Sequence, residues 1–171
     1  VGVQDHVPWE ITMSANPRLT AYLDDQKIRY DIKPHSHSYS SLGTAITAEI
    51  SPRKLAKAVV LEDHEGRHMM AVVPTDNKVS VRKLGQALNR DFHLATEQKV
   101  YHLFRDCSPG AIPPVGRAFN METIVDDQLS AQRDIYMESG DHETLIHMKQ
   151  AEFQKLMSGT QHGRFSGEVY F

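Results

Sequence analysis

Lys57 stands where SPRKLAK gives way to AVVL, a continuous apolar run. A lysine on the first position of a buried strand projects from rigid backbone, so its ammonium is well placed and not free-swinging. Two readings are open: a side chain that snorkels to water from a strand edge, or a fixed cation for a carboxylate or phosphate. The second concentration of constraint is CSPGAIPPVG, residues 107–116, with two glycines and three prolines. Glycine admits conformations closed to other residues and close approach of another group, while proline fixes φ and removes a donor. Such a loop is rigid and shaped. Gly110 can present backbone N–H groups to a carbonyl oxygen, and Ile112, Pro113 and Pro114 offer rigid apolar surface that would limit the size of a pocket. The alternative is a plain structural turn, because Gly-x-x-x-Pro alone is a weak pattern.

Other chemistry is poorly supported. Cys107 has no nucleophile signature around it, and a buried inert thiol is the simpler reading. The ten histidines include His35 with His37, His64 with His68, and His142 with His147, but no spacing completes a zinc signature. No metal and no cofactor are expected. P-loop, GxGxxG, HExxH and GxSxG patterns are absent.

The elements that must carry these residues fit in one domain, since 171 residues are enough to bury a core. No run of 18 apolar residues occurs, so no membrane partner is expected. The start, VGVQDHVPWE, has neither a basic nor an apolar leader region, and a lone cysteine suits a reducing compartment; a cytoplasmic location follows. A net charge of −3 argues against DNA and against any long duplex, while leaving room for a grip on one strand end.

Ser14 is a candidate cap for a helix through Leu19, Tyr22 and Leu23. IRYDIKPH (28–35) alternates as a strand, SHSYSS is a polar loop, and TAITAEI is a short helix. Ser51-Pro52 reads as a cap and N1 proline opening another helix. AVVL (58–61) is a central strand apolar on both faces, EDHEG a turn, and HMMAVVP (68–74) the returning strand of a hairpin. Val81, Leu84 and Leu88 share a helical face, as do Val100, Leu103 and Phe104, with Thr96 as cap. FNMETIV, DIYMES and TLIHM are strands, the last two joined by the turn 140–143, and QAEFQKLM is a helix. The tail from 158 is either unstructured or adds FSGEVYF as a strand. The fold class is α+β: a mixed, mostly antiparallel, barrel-like sheet surrounded by helices, with the domain over 1–157 and a tail over 158–171.

The succession His35-Ser36-His37-Ser38, LAKAVVL, AVVP, DCSPGAIPPVG and YMESGDHETLIHM resembles the YbaK/ProX family of aminoacyl-tRNA deacylases, which includes the editing domain inserted in bacterial prolyl-tRNA synthetases. The resemblance covers roughly residues 15–157. It implies a trans-editing enzyme that hydrolyses the ester between a wrong amino acid and the tRNA 3′-terminal adenosine, on alanyl- or cysteinyl-tRNA(Pro). Lys57 then corresponds to the family lysine, and Gly110 through Pro114 to its GxxxP loop. His142 occupies the place of a pocket histidine, and Asp126 and His35 are carried as substrate-binding candidates. The implied partners are the tRNA 3′ end and, through it, a prolyl-tRNA synthetase, with Arg53, Lys54 and Arg117 as a basic landing site. The competing reading is a binding module of the same fold that recruits tRNA or a synthetase without turnover.

Overall fold

The computed structural model describes residues 15–168. The elements are α1 (Pro17–Asp25), β1 (Asp31–Pro34), α2 (Ser41–Thr47), β2 (Leu55–Asp63), β3 (His68–Pro74), β4 (Asn77–Val79), α3 (Val81–Leu88), β5 (Phe92–Leu94), α4 (Glu97–Leu103), β6 (Glu122–Asp126), β7 (Asp134–Glu138), β8 (Thr144–Lys149), α5 (Gln150–Leu156), β9 (Gln161–Gly163) and β10 (Ser166–Glu168). Short 3-10 turns occupy Gly116–Phe119 and Asp127–Ala131.

The main sheet runs β1-β8-β7-β2-β3-β6-β9, with β5 also paired to β2, and β10 pairs with β4 in a separate ribbon. The joins β1–β8, β7–β8, β2–β3, β2–β5 and β4–β10 are antiparallel; β2–β7, β3–β6 and β6–β9 are parallel. The expected α+β class with a mixed, mostly antiparallel sheet holds. β2 and β3 are its centre, apolar on both faces. One face carries Ala56, Val60, Met70 and Val72 against α1, Phe104 and Phe119. The other carries Leu61, Met69, Ala71 and Val73 against Leu84, Phe92 and Phe165.

Local chemistry explains most boundaries. Asn16 caps α1, its side chain accepting from the N–H groups of Arg18 and Leu19 at 2.9 and 3.2 Å, with Pro17 at the first helical position. The expected cap Ser14 lies outside the described residues. Ile28 is claimed by the end of α1, where its N–H reaches Leu23 O at 3.0 Å, so the strand expected over 28–35 shortens to Asp31–Pro34. Thr96 caps α4 as expected, accepting from Lys99 N.

The helix expected after Ser51-Pro52 does not form. Lys54 N bonds Ser51 O at 2.9 Å in a turn, and Leu55 is already in β2, where its carbonyl accepts from Thr75 N. Strand pairing on both edges outcompetes a proline-led helix there. Lys57 is therefore the third residue of its strand, preceded by a turn. The tail takes its strand alternative: β9 lies beside β6, and β10 beside β4.

Candidate active site

A gap in the sheet defines the site. β7 pairs with β2 only at Leu55 and Ala56, and β5 pairs with β2 only from Leu61 to Asp63. Between them no strand of the described residues covers that edge of β2. Strand parity says which groups face the gap, because successive residues direct their backbone N–H and C=O to alternate sides. Lys54 O accepts from Tyr136 N and Val60 O from Ala95 N, so even-numbered residues face the β7/β5 side; Leu55 O, odd-numbered, accepts from Thr75 N on the β3 side. Ala58 thus turns both its N–H and its C=O into the gap.

Over the gap lies a cleft of about 450 Å³. Ala58, Val59 and Val60 form its floor, Val100 and Phe104 one wall, and Pro109, Gly110 and Ile112 another, with Tyr39, Leu94 and Tyr101 around it. Tyr39 is 85% exposed, Leu94 60% and Tyr101 56%, so the rim is apolar and open.

Gly110 has φ +79°, and a Cβ there would lie 3.2 Å from both His142 Nε2 and Tyr39 O. Only glycine fits without strain. Pro113 and Pro114 are buried behind Ile112 and do not line the cleft. His142 is 2% exposed and lies behind the loop, its Nε2–H donating to Pro109 O at 2.6 Å. Its Nδ1 is 3.6 Å from Oε2 of the buried Glu138. Burial opposes protonation of His142, but Glu138 and the Pro109 carbonyl outweigh it and raise its pKa. The histidine expected in the pocket is thus outside the cleft lining and bonded to the loop through Pro109.

Lys57 leaves β2 on the face of Leu55 and Val59, opposite Ala58, and is not part of the cleft lining. Burial lowers its pKa, Asp76 opposes that, and Lys78 adds to it. Its ammonium makes no hydrogen bond or ion pair among the described residues, in contrast to the side chains of Arg18, Arg53, Arg90, Lys99 and Lys149. A half-buried ammonium with no hydrogen bond among the described residues, one residue from the gap, is a candidate functional charge.

The remaining expected site residues lie elsewhere. Asp126 is buried and fully used: its carboxylate accepts from Gln128 N, Gln128 Nε2, Phe165 N and Ser166 Oγ, and so ties the C-terminal segment to β6. His35 turns Nδ1 to Ser36 O and is not in the cleft. Arg53 pairs with Asp76 at 3.2 Å, and Arg117 donates to Ser158 O. His147 sits between Asp31 and Asp134. Among the described residues no three His, Cys, Asp or Glu side chains converge as metal ligands. Cys107 lines the cleft, but burial, reinforced by Asp106, pushes its thiol up to about 12, a poor nucleophile.

Sequence reasoning missed the Ala58 edge, Glu138, and the α4 wall. The apolar run at 58–61 marked a central strand, but nothing in it announced that one of its edges is only partly paired.

No curated protein matches this chain in sequence. Among solved structures, a hypothetical protein aligns over 88% of this chain and 99% of its own, with TM-score 0.78 and 18% identity. A candidate trans-editing enzyme for prolyl tRNA synthetase aligns over 90% of this chain and 99% of its own, with TM-score 0.72 and 19% identity. At those identities the likeness is one of fold. No helix of the described residues is long and apolar enough to cross a membrane. The model of the aminoacyl-tRNA editing domain matches residues 35–156, which include β2, the gap, the glycine–proline loop and the Glu138–His142 turn, and on that match the chain belongs to the aminoacyl-tRNA editing domain family.

Proposed function

We propose that this protein is a trans-editing deacylase that hydrolyses mischarged tRNA, with alanyl- or cysteinyl-tRNA(Pro) as substrate and the tRNA 3′ end in the cleft. The observation that carries the reading is the gap along one edge of β2 under an apolar cleft, with the half-buried Lys57 next in the strand, on its opposite face. An aminoacyl ester is already activated, so the protein needs chiefly to place the ester and a water. Water adds to the ester carbonyl, and the tetrahedral oxyanion collapses. The ribose oxygen then leaves and takes a proton, giving free amino acid and tRNA. Gly110 backbone and Ala58 N–H are the neutral donors available to the oxyanion. Lys57 supplies the cation for the terminal phosphate or the developing charge. With the Cys107 thiol pushed up to about 12, the proposed route uses no protein nucleophile.

In this reading the apolar part of the cleft selects by size. Val60, Val100, Phe104 and Ile112 line that part, and at Gly110 an added Cβ would lie 3.2 Å from His142 Nε2 and from Tyr39 O. A separate hydrolytic pocket that admits only smaller side chains removes errors that a synthetic site discriminates weakly. A prolyl-tRNA synthetase is the partner this substrate implies, and the cytoplasm the compartment.

The test is deacylation of alanyl-, cysteinyl-, seryl- and prolyl-tRNA(Pro) by the whole chain. Hydrolysis of alanyl- or cysteinyl-tRNA(Pro) with prolyl-tRNA spared is the expected result. Bound tRNA with every ester intact would replace the deacylase by a recruiting module.

A further inference from the structure

The uncovered residue of β2 has a chemical complement. An amino-acid ester carries an ammonium nitrogen and a carbonyl oxygen across one Cα, the same arrangement that one residue of a β-strand presents to its neighbour. In an antiparallel hydrogen-bonded pair, two facing residues exchange both N–H···O bonds. Ala58 is poised for such an exchange: it faces the gap between Ala56, held by β7, and Val60, whose carbonyl is held by Ala95. We infer that the aminoacyl group docks on Ala58 as a one-residue strand, its ammonium donating to Ala58 C=O and its ester carbonyl accepting from Ala58 N–H. This rests on the deacylase reading and names the groups that hold the substrate.

The geometry carries further consequences. Directly paired residues place their side chains on one face of a sheet. The Ala58 side chain shares its face with Ala56 and Val60, toward Phe104 and Ile112. An L-aminoacyl side chain therefore enters the apolar half of the cleft, and a D-aminoacyl side chain is turned to the Lys57 face. Recognition by strand addition takes its affinity from the main chain and its specificity from the side-chain pocket, so Ala58 reads that the ligand is an α-amino acid while the pocket reads its size.

The probe is 3′-(L-alanylamino)-3′-deoxyadenosine, whose amide resists hydrolysis, compared with its propionyl counterpart, which lacks only the ammonium. Amide hydrogen exchange is followed at Lys57, Ala58 and Val59 in the full chain. In the free protein the Ala58 amide exchanges faster than those of Lys57 and Val59, which β3 protects. Saturating alanyl probe slows Ala58 at least about tenfold, and the propionyl probe binds about tenfold more weakly, the loss of one charge-assisted hydrogen bond. An Ala58 amide that is slow in the free protein, or unchanged when the probe saturates and blocks deacylation, overturns the inference while leaving the deacylase intact. Equal binding of the two probes overturns it also. Failure of both probes to bind, with no aminoacyl ester hydrolysed, overturns this inference and the deacylase reading together.

Discussion

The two halves of β2 answer the same physical problem in opposite ways. From Leu61 to Asp63 the strand is covered on both edges, by β3 and β5, and its charge is fully met. The Asp63 carboxylate has no exposed side-chain surface and accepts from Arg67 Nε at 2.8 Å, Arg90 Nε at 2.9 Å, and the N–H groups of Glu65 and Arg67. Burial acts to raise its pKa, but these donors win and hold it well below the ordinary carboxylate range. Arg90 in turn stacks on Phe92 at 4.7 Å. Between Ala56 and Val60 one edge is left without a strand among the described residues, and the nearby Lys57 ammonium makes no hydrogen bond or ion pair among them. A buried charge surrounded by donors is architecture, whereas the other half of the strand, with its gap and its half-buried lysine, is where the proposed chemistry is placed.

That contrast can be broken in order of effect. Leu61→Ala, in the covered half where the side chain is fully buried, should cost about 2–5 kcal/mol of stability. Denaturant unfolding would measure it, and the deacylation rate per folded molecule should stay near wild type. Gly110→Ala should cost about 1–2 kcal/mol for the left-handed backbone. It should also lower kcat/KM by about tenfold or more, since the loop must shift from His142 and Tyr39.

The pH dependence separates the halves again. Lys57 has a lowered pKa, chiefly through burial, so its charge is lost on raising pH before that of an ordinary lysine. After subtraction of spontaneous ester hydrolysis, kcat/KM should fall along an alkaline limb that Lys57→Arg moves to higher pH. On the acid side, Asp63 is depressed, the Arg18 hydrogen bond brings Asp106 to about 2, and Lys149 and His147 bring Asp134 to about 2. Their stabilisation is complete above the unfolded carboxylate pKa near 4 and is lost as pH falls through these lower values. Thermal unfolding between about pH 4 and 2 should show that slope, and Asp63→Asn should flatten it. The smallest effect is expected from Cys107→Ala, with deacylation within about twofold of wild type because the thiol at about 12 takes no part. Loss of activity in that variant, together with a trapped acyl-enzyme in the wild type, would establish covalent catalysis instead.

Residue types made much of this legible. The apolar run 58–61, the hairpin to 68–74 and the Thr96 cap all follow from local chemistry, and the glycine–proline loop announced a rigid wall. Gly110 and Ile112 line the cleft, while Pro113 and Pro114 are buried and do not. What local chemistry cannot contain is how far one strand pairs with another. β7 leaves β2 after two residues, and that early departure opens the gap under the cleft. The misread Ser51-Pro52 turn has the same cause, because pairing at Leu55 claims backbone that a helix would need. Asp126 and His142 were recognisable as special but not by role. Both are occupied by contacts distant in sequence, to Ser166 and to Pro109.

The account stands or falls on the unpaired charge next to the bare edge. Single-turnover deacylation of alanyl-tRNA(Pro) by Lys57→Ala, with its melting temperature taken on the same sample, tests this most directly. The predicted result is a rate lowered by about 100-fold with the melting temperature kept or raised, since removing a half-buried unpaired ammonium relieves a desolvation cost. A variant that deacylates at the wild-type rate would contradict the account and place Lys57 among the surface lysines.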